Sequence, residues 1–351
     1  HRARQPITRL DPTPRVVLVP GVGVLAAGAT ARDARIAADI AEHTVRAKAL
    51  AHRLGGYQAL GDGDLFDMEY WSLEQAKLGG SDPPPLAGQV ALVTGAVGAI
   101  GFGICRALVD AGAHVVASDL DGDRVAAAVD ELDARGRGAA AGVVLDVTDQ
   151  VSVAAGVAEA CRIYGGIDIC VLNAGVAHVS PLDGTDPADF RRVIDTNLTG
   201  CFLVLREVAG VLKAQGTGGN VIVNSSKNVF GPGADFGAYS ASKAGAHQLG
   251  KVAALELAGA DVRVNMINAD AVFGDDHRPS GLWQEVGPAR ARSKGLDPAA
   301  LEDHYRGRNL LRARVTPEHV GNAVVFFASG LTPTTGATLP VDGGVPEAFP
   351  R

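Results

Sequence analysis

No concentrated run of lysine and arginine occurs in this 351-residue sequence, and its formal net charge is -7. A nucleic-acid surface needs a basic face, so that class of partner is excluded. Cysteine is scarce. The four present, Cys105, Cys161, Cys170 and Cys201, fall inside apolar helix or strand patterns, and no two stand at metal-ligand spacing. That excludes a disulfide framework and a zinc knuckle, and predicts buried thiols in a reducing, cytoplasmic compartment. No signal peptide is visible, and glycines interrupt the long uncharged runs, so a membrane span is not expected. There is no internal repeat. The first residue is His1 rather than methionine, which predicts a processed chain or, in preference, a piece of something longer.

What is present is apolar and rich in glycine: 47% hydrophobic residues and 45 glycines, enough for a sizeable core. Residues 1–80 read as a first unit with one strand at Val16–Pro20 and two helices, from Thr30 to about Leu54 and from Asp64 to Lys77. That is thin for an independent core, so the unit is expected to dock on something else. The run Gly79–Pro85 reads as a linker, placed at 81–85, and a main domain occupies 86–351. There, continuous apolar strand runs at 90–93, 114–118, 142–145, 167–172, 220–224, 262–267 and 337–341 alternate with helical patterns at 100–111, 124–135, 151–164, 187–214, 238–258 and 317–328. Such alternation predicts an α/β fold with a doubly wound, Rossmann-like parallel sheet, next to a small N-terminal α/β extension. Ligands on such sheets bind at the carboxyl ends of the strands.

The first main-domain strand runs into Thr94-Gly95-Ala-Val-Gly98-Ala-Ile100-Gly101, and a helix opens at once. Glycines let backbone amides and a helix start approach a pyrophosphate closely. Asp119 closes the second strand, where a carboxylate accepts hydrogen bonds from adenosine ribose hydroxyls and repels a 2′-phosphate. No Arg or Lys stands among the glycines or directly after Asp119, so NAD is favoured over NADP. Asp146 and Val147 close the third strand, where the carboxylate can accept an adenine amino group. Asn173-Ala174-Gly175 closes the fourth, where small residues let a cofactor pass close to the sheet.

Downstream, a strand delivers Ser226, a Gly/Pro loop follows, and a helix opens with Tyr239 and Lys243 four apart on one face. A nearby ammonium favours phenolate and is expected to lower the tyrosine pKa towards working pH. Such a tyrosine can exchange a proton with a substrate hydroxyl or carbonyl while Ser226 hydrogen-bonds the same oxygen. Ser225 can stand in for Ser226. Together these residues are the equipment for reversible alcohol oxidation by hydride transfer, with a small-molecule alcohol or aldehyde as substrate.

Assembled in this way, residues 86–345 resemble a short-chain dehydrogenase/reductase. The resemblance rests on the glycine turn, Asp119, Asp146, Asn173-Ala174-Gly175, Asn197, Ser226, Tyr239-x-x-x-Lys243, Arg263-Val264-Asn265 and Asp342-Gly343-Gly344. It implies Tyr239 as acid/base, Lys243 holding the nicotinamide ribose, Ser226 orienting substrate, Asn197 supporting a water relay to the lysine, and a homo-oligomer. The flanks Val16–Gly21, Ala37–Thr44 and Phe66–Lys77, with Ser226–Phe230 and Gly281–Trp283, are similar to bifunctional aldolase/short-chain dehydrogenases. These join an upstream class II aldolase to a dehydrogenase acting on lactaldehyde in rhamnose breakdown. Such aldolases need clustered histidines for a metal, and no His-x-His pair occurs here, so no metal site and no aldolase activity are expected.

Two departures stand out. Ala269-Asp270 replaces the usual Pro-Gly, and Gly274 follows four residues after Asp270. Asp270 reads as a loop-capping acid or a contact to a substrate hydroxyl. The charged segment from Phe273 to Arg308 lies where the family has its substrate lid. Lone histidines such as His178 and His247 read as surface or packing residues, His178 being the better pocket candidate. Rival readings of the whole chain are a non-catalytic NAD-binding or scaffolding module and a sugar or polyol dehydrogenase.

Overall fold

The computed structural model describes residues 7–10, 12–78, 83–134 and 138–349. Residues 79–82 of the expected linker and Arg135, the expected end of one helix, lie outside the described residues. The chain divides into two compact units between Ala87 and Gly88.

In the first unit, β1 (Val16–Val19) and β2 (Gly23–Ala26) pair antiparallel. Three helices follow: α1 (Ala31–Arg53), α2 (Asp62–Glu69) and α3 (Ser72–Lys77). The Thr30 hydroxyl caps α1 by accepting from the Asp33 amide at 3.1 Å. One strand and two helices were expected. The second strand is only four residues long and enters through glycines at positive φ, too short to show a period. The expected acidic, aromatic helix breaks because Trp71 is extended (φ -71°, ψ 161°) and starts α3 afresh. Of the 23 residues of α1 only Ala41 is buried, while Ile40 and Leu50 stay 62% and 59% exposed.

The second unit is built on seven parallel strands: β3 (Val90–Thr94), β4 (His114–Asp119), β5 (Ala140–Val144), β6 (Ile169–Leu172), β7 (Gly219–Asn224), β8 (Val262–Ala269) and β9 (Thr338–Val341). Their order is β5-β4-β3-β6-β7-β8-β9. Every residue of β3 and β6 is buried, because helices cover both faces of the sheet, and this is why those strands are built almost wholly of Val, Ala, Leu, Ile and Cys, Thr94 at the end of β3 apart. The covering helices are α4 (Ala99–Asp110), α5 (Gly122–Asp133), α6 (Gln150–Tyr164), α7 (Pro187–Ile194), α8 (Gly200–Gln215), α9 (Gly237–Leu257), α10 (Gly281–Lys294), α11 (Leu301–Arg308) and α12 (Pro317–Ala328). The strand order reverses between β3 and β6, opening a crevice at their carboxyl ends.

The single helix expected over 187–214 is two, α7 and α8, joined by a π-helical turn at Asp195–Thr199. No helix among the described residues is long and apolar enough to cross a membrane. All four cysteines are free thiols. Cys105 and Cys170 are buried, and burial pushes Cys105 up to about 12. Cys161 and Cys201 are only partly buried, less than expected, and burial holds Cys201 at about 11.

Candidate active site

The glycine turn forms the floor of the crevice. Gly95 has φ +65°, and a Cβ there would lie 2.8 Å from Ala174 Cα. A Cβ at Gly101 would stand 2.1 Å from the Gly95 carbonyl oxygen, so the turn is too tight for any side chain. Gly98 caps α4 with no side-chain hydrogen bond, leaving the first-turn amides of a twelve-residue helix facing the crevice. Asn173 holds the turn in place. Its Nδ2 donates to the Thr94 and Gly95 carbonyls at 2.9 and 3.1 Å, its backbone N–H donates to Thr94 Oγ1, and its Oδ1 accepts from Asn224 Nδ2 at 2.8 Å.

A single cleft of about 410 Å³ runs from Asp119 past Gly98, Ile100 and Gly101 to Tyr239 and Lys243. Asp146, Val147, Ala174 and Gly175 also line it. The Asp119 carboxylate accepts from the Leu120 amide at 2.9 Å and from the Val97 amide at 3.4 Å. Asp146 is exposed and accepts from Thr148. A cleft with an uncapped helix start and small residues midway, and a carboxylate and an amine at its two ends, matches the donor and acceptor pattern of a dinucleotide.

Two arginines reach this cleft without having been expected there. Arg124, in the first turn of α5, donates to the Val97 carbonyl at 3.4 Å. Arg278 donates to the same carbonyl at 3.2 Å and to Glu131 at 2.6 Å, and its guanidinium stacks 3.7 Å from the Phe102 ring centroid. Neither follows Asp119 directly. Arg124 returns because five residues bring the chain back over the strand end, and Arg278 arrives from the lid.

At the other end, Ser226 and Lys243 are buried and Tyr239 is partly so. The Ser226 hydroxyl accepts from the Asn228 amide at 3.2 Å, whereas Ser225 donates to the Lys243 carbonyl. Ser225 is thus turned into α9, and Ser226 is the serine that shares a cavity with Tyr239. The expected acidification of the tyrosine is not found. Burial raises the Tyr239 phenol, hydrogen bonding with Ser226 opposes this, and the charge of Asp270 adds to the rise. The Lys243 Nζ lies 5.9 Å from the ring centroid and donates instead to the Asn224 carbonyl at 2.8 Å. Burial pushes that amine down to about 8.

The Asn197 side chain is buried and hydrogen-bonded throughout. Its Oδ1 accepts from the Val176 amide, and its Nδ2 donates to the Val176 carbonyl and to Ser242 Oγ, each within 3.0 Å. It braces the segment after β6 from within the π turn, a distortion often found at functional sites. His178 lies 3.8 Å from Asp189 and lines neither the cleft nor the inner cavity. His247 is buried, with Nε2 2.9 Å from Thr338 Oγ1, and burial takes it down to about 4. Asp270 is buried and ion-paired with Arg308 across the lid.

The comparisons agree with this geometry. A family model described as short chain dehydrogenase matches residues 89–278, and one described as aldolase class II, second domain, matches residues 1–78. The chain is 36% identical to the uncharacterized oxidoreductase YuxG of Bacillus subtilis over 97% of its own length, but it spans only 50% of that relative. It is 33% identical to galactitol 2-dehydrogenase of Agrobacterium fabrum over 74% of this chain and 98% of the other. Among solved structures, sorbitol-6-phosphate 2-dehydrogenase SrlD of Erwinia amylovora superposes with a TM-score of 0.68 at 30% identity, covering 72% of this chain and 98% of that one. Fold, cleft and matched sequence agree, and the chain belongs to the short-chain dehydrogenase/reductase family of oxidoreductases.

Proposed function

We propose that this chain is an NAD-dependent oxidoreductase that interconverts an alcohol and a carbonyl, with Tyr239 as the proton-transferring group. The observation that carries the reading is the continuous cleft with Asp119 at one end and Tyr239 and Lys243 at the other. Gly95, Gly98, Ile100 and Gly101 would hold the pyrophosphate and Asp119 the adenosine ribose. Asp146 and Val147 would hold the adenine, and Asn173, Ala174 and Gly175 the stretch towards Lys243. When bound, the nicotinamide supplies the hydride acceptor or donor.

The chain's own residues supply the rest. Tyr239 Oη takes the hydroxyl proton as the alcohol becomes a carbonyl, and returns it in reduction. The Ser226 hydroxyl donates to the substrate oxygen where negative charge develops. Lys243, fixed by Asn224, contributes positive potential near the phenol. Asn197 positions the segment after β6. An aldehyde enters the same scheme as its hydrate, so no catalytic cysteine is needed.

The finer reading is a short hydroxyaldehyde such as lactaldehyde, delivered by an aldolase joined upstream in a deoxy-sugar route. The match to an aldolase domain over 1–78, the length of YuxG and the uncovered apolar side chains of α1 support it. A sugar or polyol substrate is the second reading, favoured by the likeness to galactitol and sorbitol-6-phosphate dehydrogenases. The test is absorbance of NADH with C3–C6 hydroxyaldehydes, sugars and polyols. Turnover of lactaldehyde alone supports the first, turnover of polyols the second, and no turnover with any of them refutes both.

A further inference from the structure

Behind Ser226 and Tyr239 lies a second cavity of about 50 Å³, room for a group of a few heavy atoms. Lys227, Arg290, Asp270 and Trp283 also line it. Lys227 is 8% exposed and Arg290 2% exposed, unusual depths for cations without anionic partners. Among the described residues neither has a carboxylate within ion-pair distance. The Lys227 Nζ donates only to the Gly231 carbonyl at 2.7 Å. Arg290 donates to the Ala234 carbonyl, the Tyr305 hydroxyl and Ser293, and its guanidinium lies 4.6 Å from the Phe236 ring centroid. The one acid lining the cavity, Asp270, is already matched by Arg308, whose Nε is itself buried without a partner. Asp270 is thus largely spent on Arg308, and two cations without an ion-pair partner among the described residues remain beside the groups proposed to handle the reacting oxygen.

We infer that this cavity is an oxyanion subsite, and that the substrate carries a carboxylate or phosphate which Lys227 and Arg290 hold while Ser226 and Tyr239 engage its hydroxyl. This rests on the oxidoreductase reading of the same site and narrows its substrate class. Burial keeps the Lys227 amine low, at about 8, with Arg308 and Arg290 adding to the fall and Asp270 and the surface Glu347 opposing it. It therefore still carries its charge at pH 7. An anion seated against it replaces the lost solvation, which a neutral polyol cannot do.

The experiment has two arms, each run on wild type, K227M and K227Q; the glutamine keeps a donor for Gly231. The first is kcat/KM with saturating NAD for matched pairs, glycerol against glycerol 3-phosphate and 2-butanol against 3-hydroxybutyrate. The expected result is a wild-type preference for the charged member of at least one pair, falling by about tenfold or more in both variants. The phosphate and carboxylate pairs identify which oxyanion is carried. The second arm is thermal protection by inorganic phosphate and by acetate, read as the difference between wild type and K227M, because phosphate at the glycine turn protects both equally. Variant-sensitive protection without turnover of these four compounds supports the subsite, and failure of the hydroxyaldehydes, sugars and polyols as well removes the hydride-transfer reading. Equal protection in wild type and variants, or neutral substrates used as well as charged ones, overturns the subsite whatever the turnover.

Discussion

Replacing Lys243 by methionine should make the protein more stable and inactive. Burial takes this amine from 10.5 to about 8, and every tenfold loss of proton affinity corresponds to about 1.4 kcal/mol, so carrying its charge in the folded state costs on the order of 3 kcal/mol below pH 8. Methionine removes that cost and loses the bond to the Asn224 carbonyl, worth about 1 kcal/mol, leaving a gain of about 2 kcal/mol at pH 7. The sign follows from proton binding. Between about 8 and 10.5 the unfolded chain holds a proton on this lysine that the folded chain has released, so wild-type stability rises with pH there. Below pH 8 both states are protonated and the difference is flat. Urea unfolding of cofactor-free wild type and K243M at pH 7, 8, 9 and 10 measures this directly, because other titrations cancel between the two proteins. The advantage of the variant should be constant up to pH 8, then shrink and vanish by pH 10. A difference that stays unchanged from pH 7 to 10 would refute the depressed amine and the burial argument with it.

Tyr239→Phe should abolish turnover while fluorescence titration shows NADH binding largely intact; comparable activity in the variant sinks the mechanism. Because burial raises the phenol above its usual 10.0, alcohol oxidation, which needs the phenolate, should climb with pH all the way up to 10, while carbonyl reduction, which needs the phenol, stays level over that range and falls only above it. Asp119→Ser should shift the kcat/KM ratio from NAD towards NADP by roughly tenfold or more, since Arg124 and Arg278 already flank the cleft. Gly101→Ala forces a Cβ to within 2.1 Å of the Gly95 oxygen and should weaken NADH affinity by about tenfold or more, visible by calorimetry.

The sheet was legible because burial on both faces writes an unmistakable signal. Val90–Val93 and Ile169–Leu172 are apolar without interruption, and the structure starts or ends its strands within two residues of the bounds expected at 90–93 and 167–172. The glycine turn was legible because only glycine tolerates its approach distances. The residues around the inner cavity were not. Lys227 offers a faint signal, a lysine among small residues directly after Ser226, but Arg290, Arg308 and Arg278 lie in a segment whose charges read as a solvated lid. Spacing along a helix also misjudged the Tyr239–Lys243 pair. Four residues apart guarantees a shared face, yet burial and the Asn224 carbonyl decide what the amine does there. The break between α7 and α8 escaped notice because a π turn preserves the helical apolar pattern while adding one residue to a turn.

The amide of Asn173 has a mechanical consequence. One face of it grips the Thr94 and Gly95 carbonyls, the other receives Asn224, and the Asn224 carbonyl in turn receives Lys243. The loop that would sense a dinucleotide and the ammonium that would serve the reaction are therefore the two ends of one short polar relay. Any strain imposed at the first end is felt at the second, so cofactor seating and proton handling should respond together to a single change at this asparagine.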